Sequence, residues 1–110
     1  MVIQSKKVIT SEYYEKHLIE ILKYGIETFG YAQACKYFNI ISQLVEKLDN
    51  SYTHYPECRH LATKSRMYRN IILDAHLIIY RITDICIEVL DIIHSASSIG
   101  KIRGARKIHL

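Results

Sequence analysis

No stretch of this sequence approaches the roughly 20 consecutive apolar residues that cross a bilayer, so a membrane partner is not expected. The first residues, Met1-Val-Ile-Gln-Ser-Lys-Lys7, lack the apolar core of a signal peptide, which points to a cytoplasmic address. Cysteine is scarce: Cys35, Cys58 and Cys86 are odd in number and have no close metal-ligand spacing. That excludes a disulfide framework and predicts three free thiols, two of them buried, with no metal or other cofactor. The single proline, Pro56, falls in the segment Asp49–Cys58, which should close a helical part of the chain. No internal repeat is present.

What is there is a chain of 110 residues, enough for one core and too short for two. Its 49% hydrophobic and 24% charged residues are ordinary for a folded domain. The charge is uneven. Residues 1–58 hold six Lys and Arg against seven Asp and Glu, whereas residues 59–110 hold nine against four. A net of +5 in the second half suggests an anionic partner there, either nucleic acid or an acidic protein segment.

Three runs rich in β-branched residues fill Met67–His94, separated by short Asp-containing gaps, and predict an antiparallel meander. Gaps this short cannot hold the crossover that parallel pairing would need. A two-residue turn at Thr83-Asp84 would set Ile82 opposite Ile85, Tyr80 opposite Ile87 and Ile78 opposite Val89. One face then carries Ile78, Tyr80, Ile82, Ile85, Ile87, Val89 and Ile93, and should lie against helices. The other carries Leu77, Ile79, Arg81, Cys86, Glu88, Leu90, Ile92 and His94, and should stay partly wet.

Upstream, Val2–Ile9 can add an edge strand. Thr10 or Ser11 then offers an N-cap, with Glu12 and Glu15 in the first helical turn. Tyr14, Leu18, Ile21, Leu22, Gly25 and Phe29 mark the buried stripe of a first helix. Gly25, unfavourable inside a helix, implies a close helix contact. Gly30 suits the residue after the last turn. Ala34, Tyr37, Phe38, Ile41, Leu44, Val45 and Leu48 mark a second helix over Tyr31–Leu48, folded back on the first. Residues 1–96 thus form an α+β domain of order β-α-α-β-β-β, a meander with an N-terminal edge strand and a helical hairpin on one face. Residues 97–110, with two glycines, two serines and Lys101, Arg103, Arg106 and Lys107, read as a mobile basic tail.

That order resembles the RelE/ParE family of bacterial toxins from type II toxin–antitoxin modules. The resemblance rests on Ile26-Glu-Thr-Phe-Gly30 before Gln33-Ala34, Leu48 followed by Tyr55-Pro56, Tyr68-Arg69, Ile79-Tyr80-Arg81, and Ile85–His94. It implies a toxin neutralised by a cognate antitoxin in a hetero-oligomer. RelE-like members cut messenger RNA on the ribosome, and ParE-like members poison DNA gyrase. The nuclease members carry alternating basic residues in the second strand, another as the third begins, and a basic and aromatic pair after the fourth. Here only Arg69 fits; Ile71 and His76-Leu77 stand at the next places, and Ser95-Ala-Ser-Ser98 comes after His94. The ParE-like reading is therefore the expectation, with a degenerate module that only binds its antitoxin as another class.

A nuclease would have to use His94 as acid or base with Arg69 and Arg81 as phosphate clamps. Glu88 is a second candidate base, but the expected register places it roughly 20 Å from His94. Arg81 reads more simply as the cross-strand partner of Glu88, worth under about 1 kcal/mol. A two-residue Asp74-Ala75 turn would put Arg69 on the apolar face, and a three-residue loop through His76 would put it beside Arg81. The second avoids burying an unpaired charge and is preferred. For the antitoxin, Leu77, Ile79, Leu90 and Ile92, flanked by Arg81, form an apolar stripe suited to an acidic amphipathic segment. Lys101, Arg103, Arg106 and Lys107 are the candidate contacts to the target or another anion. A second copy, or the tail folding back, would compete for the same face.

Overall fold

In the computed structural model, residues 4–110 are described; Val2 and Ile3 of the expected first strand lie outside them. The chain runs β1 (Lys7–Thr10), α1 (Glu12–Phe29), α2 (Tyr31–Glu46), a short α3 (Leu48–Ser51), β2 (Tyr68–Ile72), β3 (His76–Ile82), β4 (Cys86–His94) and α4 (Ile99–Gly104), with a 3-10 turn at Ala105–Lys107. The fold is α+β in the expected order. The sheet order is β1-β4-β3-β2, so β1 is an edge strand, and it lies parallel to β4 while the other pairs are antiparallel.

The helical hairpin forms as its residues dictate. Ser11 caps α1, its Oγ accepting from the Tyr14 backbone N–H at 3.0 Å, and the same hydroxyl donates to the Leu90 carbonyl of β4. Gly30, at φ 94°, ends α1 and begins α2, a backbone conformation that favours glycine. A Cβ on Gly25 would sit 3.1 Å from the Cβ of Ala34, so the two helices do approach closely at that glycine. Tyr14, Leu18, Ile41, Val45 and Leu48 then close on Ile71, Ile78, Tyr80, Ile87, Val89 and Ile92 of the sheet. Fully burying an aliphatic side chain of this kind contributes about 1.5–3 kcal/mol.

The meander is present, with a different register. The β3–β4 turn is Asp84-Ile85, closed by the Thr83 N–H to the Cys86 carbonyl at 2.9 Å. Ile82 therefore faces Ile87, and Tyr80 faces Val89. The shift from expectation is two residues, which leaves each side chain on its own face, while Ile85 moves into the turn and is exposed. Beyond Val89 the ladder shifts again: Ile79 pairs with Asp91 and Ile78 with Ile92, so β4 carries one extra residue, a β-bulge. The bulge exchanges the two faces for the rest of β4. Ile92 packs among the helices and Ile93 on the opposite side, the reverse of the expected assignment.

That opposite side is not wet. Cys58 and Leu61, from the segment before β2, and Ile102 and Ala105, from the C-terminal segment, bury Tyr68, Ile79, Leu90 and Ile93 in a second apolar cluster. The expected mobile tail is thus a short helix capped by Ser98, whose Oγ accepts from the Lys101 N–H at 3.2 Å. Ile102, Ala105 and Ile108, three residues apart, face the sheet. The sheet is the middle of three layers.

Candidate functional site

A cleft of about 760 Å³ opens where α1 and α2 pass the β2–β3 turn and the far end of β4. Its polar lining includes His17, Tyr37, His76, His94 and Lys101. His17, on α1, sets its Nδ1 2.6 Å from Oδ1 of Asp91, a buried carboxylate beside the β4 bulge. The same oxygen accepts from the Ile92 N–H at 2.8 Å. Tyr37, on α2, brings its hydroxyl to 2.8 Å from His76 Nδ1. Burial raises the Tyr37 pKa, with Asp74 adding to it.

His76 and His94 are ladder partners, and their rings meet edge to face at 5.7 Å. Burial, and then the neighbouring His94, lower the His76 pKa, which favours the neutral ring. His94 Nδ1 accepts from the Ala96 N–H at 3.0 Å, so its proton sits on Nε2. The cleft therefore offers imidazole groups held in fixed orientations. Among the described residues no group of three or more His, Cys, Asp or Glu has metal-binding geometry. The thiols of Cys35, Cys58 and Cys86 are free, the last two buried.

The three residues considered for RNA cleavage do not converge. Arg81 pairs with Glu88, as expected, Nε to Oε1 at 2.7 Å; Glu88 faces Arg81 and not Ile79. The Arg81 Nη2 also donates to the Ile108 carbonyl at 3.1 Å, and its Nη1 to the Tyr68 hydroxyl at 3.4 Å. Arg69 faces Tyr80 and lies on the helix side, because Asp74-Ala75 is a two-residue turn and Leu73 bonds His76. The placement beside Arg81 is corrected. The objection to the helix side fails because β2 is an edge strand. From there Nη1 of Arg69 reaches the Tyr55 carbonyl at 2.9 Å and Nε reaches that of Arg66 at 2.9 Å. His94 stands five ladder positions from Arg81, roughly 17 Å at strand rise.

The stripe expected to await an antitoxin is covered. Ile79 and Leu90 are buried beneath the C-terminal helix, Leu77 is half-buried beside them, and Ile92 faces the helices. Lys101, Arg103, Arg106 and Lys107 all remain exposed on the outer side of that segment. Sequence reasoning passed over His17, Asp91, His76 and Tyr37. The one local signal was Asp91 itself, a carboxylate inside an aliphatic strand. It also passed over Tyr24 and Tyr31 at the apolar tip of the helical hairpin, 65% and 71% exposed, and it placed Phe29 in the buried stripe of α1, whereas Phe29 ends the helix at that tip and is 63% exposed.

No helix of the described residues is long and apolar enough to cross a membrane. No curated protein matches this chain. Among solved structures, a chain of the chromosomal ParDE toxin–antitoxin system from P. aeruginosa superposes with a TM-score of 0.68 at 15% identity, covering 84% of this chain and 98% of that one. At that identity the likeness speaks for the fold alone. The family model for the ParE toxin of the type II toxin–antitoxin system parDE matches residues 8–99, the strands and helices that build the cleft and its sheet, and the chain belongs to that family.

Proposed function

We propose that this toxin acts in the cytoplasm by binding DNA gyrase, with no catalysis of its own, and that a cognate antitoxin neutralises it. The observation that carries the reading is the engagement of Arg69 and Arg81 inside the fold, on opposite faces of the sheet and far from His94. A phosphate clamp needs guanidinium groups free to meet a substrate. The exposed Tyr24, Phe29 and Tyr31 supply instead the kind of aromatic surface that anchors one protein on another. The solved relative belongs to a ParDE toxin–antitoxin system, which supports an antitoxin partner. An antitoxin that reached Leu77, Ile79 and Leu90 would have to take the place of α4.

The test is a supercoiling reaction with purified gyrase, run beside ribosome-dependent message cleavage in reconstituted translation. Loss of supercoiling with intact message is the expected result. Cleaved message with unaffected gyrase would establish the nuclease reading, and activity in neither would leave a module that only binds its antitoxin.

A further inference from the structure

The outer surface of the layer opposite the helical hairpin is built from residues 57–67 and 97–110. These segments expose Arg59, Lys64, Arg66, Arg103, Arg106 and Lys107, with Lys101 at the edge by the cleft, and their one acidic residue is Glu57. They form one surface, because Cys58, Leu61 and Met67 pack with Ile102, Ala105 and Ile108 in a single apolar cluster beneath it. Arg81 holds the second segment down from the sheet through the Ile108 carbonyl. The family match covers residues 8–99, and nearly all of the basic helix lies beyond it.

We propose that this face binds the phosphate backbone of duplex DNA. The inference stands apart from the identity of the toxin's protein target. Exposed cations on a fixed surface neutralise phosphates without reading bases, and the energy comes from released counterions. Duplex is favoured over single strands because neither segment contains a Phe, Tyr or Trp on which an unpaired base could stack. The exposed Tyr13, Tyr24, Phe29 and Tyr31 all belong to the hairpin, across the sheet. An acidic peptide is disfavoured because Leu61 and Ile102 are sealed inside, and the aliphatics left exposed, Ile99 and Leu110, stand apart at the two ends of the second segment.

Fluorescence anisotropy of the purified chain with a labelled duplex of about 20 base pairs, between about 50 and 200 mM salt, tests this. Binding should be indifferent to sequence, and the log–log salt slope should be on the order of −4 to −6, as for five or six phosphate contacts. The triple variant R103E/R106E/K107E should bind at least about tenfold more weakly, while K23E/K36E on the hairpin stays within about twofold. Should circular dichroism show the charge-reversed triple unfolded, R103Q/R106Q/K107Q decides by the same criterion. No binding at the lowest salt overturns the proposal. So does tighter binding of single-stranded RNA or polyglutamate, or equal weakening by the hairpin variant.

Discussion

Arg81 and Ile108 are joined across the sheet face, the guanidinium Nη2 donating to the Ile108 carbonyl at 3.1 Å while Nε holds Glu88 at 2.7 Å. One side chain thus ties the C-terminal end of β3 to β4 and to the segment that covers both. Arg81→Ala should remove that tie and leave Glu88 without its partner. Because the pair is largely shielded from water, the loss should be about 1–3 kcal/mol by urea denaturation. Amide hydrogen exchange should quicken across residues 102–108; unchanged exchange there would contradict the tie.

Arg69 presents a contrasting case. Its guanidinium serves the carbonyls of Arg66 and Tyr55, so it fixes the loop between α3 and β2. Arg69→Ala should cost about 1–2 kcal/mol of stability. Toxicity, scored as growth arrest per amount of folded protein, should hold at its normal level. A large loss of toxicity in a fully stable variant would return Arg69 to the functional residues.

At Gly25 the limiting contact is Ala34, 3.1 Å from where a Cβ would stand. Gly25→Val should force the helices apart and destabilise by about 1–3 kcal/mol. Adding Ala34→Gly should recover part of the loss, a coupling that a double-mutant cycle reads directly. Additive costs would show that the close approach is not the cause.

The His76 ring titrates below its ordinary value of 6.5 because burial, and then His94, disfavour its charged form. The unfolded chain then binds the proton more tightly than the folded one. This contribution to stability is present above pH 6.5 and is lost as pH falls through the lower folded value. His76→Gln should flatten the decline in urea midpoint between about pH 7 and 5 relative to the parent. Parallel pH curves for the two would assign the decline to other groups.

The helical half was legible from local chemistry. Apolar spacing, the Ser11 cap and Gly30 each act within a few residues, and the structure follows them except at Phe29, which the last turn of α1 leaves exposed. The meander was legible in its faces as far as Leu90, because a slip of two residues preserves them, but not beyond the bulge and not in its pairs. The turn at Asp84-Ile85 and the bulge past Val89 are set by packing between strands. The covering helix was missed because Gly100, Gly104 and the serines outweighed the three-residue spacing of Ile102, Ala105 and Ile108. Arg69 was misplaced by weighing burial cost without the loop carbonyls that offset it. The His17–Asp91 contact joins residues 74 positions apart, a distance no local pattern spans.

The parallel pairing of β1 with β4 has a consequence for the order in which the molecule comes into being. Lys7–Thr10 emerges from the ribosome before the other strands, and among the described residues its only strand neighbour is Cys86–Val89. Ser11 likewise waits for Leu90, 79 positions later. A strand that depends on one near the other end of the domain makes contacts of long sequence separation, the kind that slow folding. During synthesis, at about 5–20 residues per second, the helical hairpin is exposed for several seconds with its apolar stripe uncovered. The nascent toxin is therefore incomplete through most of its translation. A partner protein already present would meet it first as a pair of helices, before any finished surface exists.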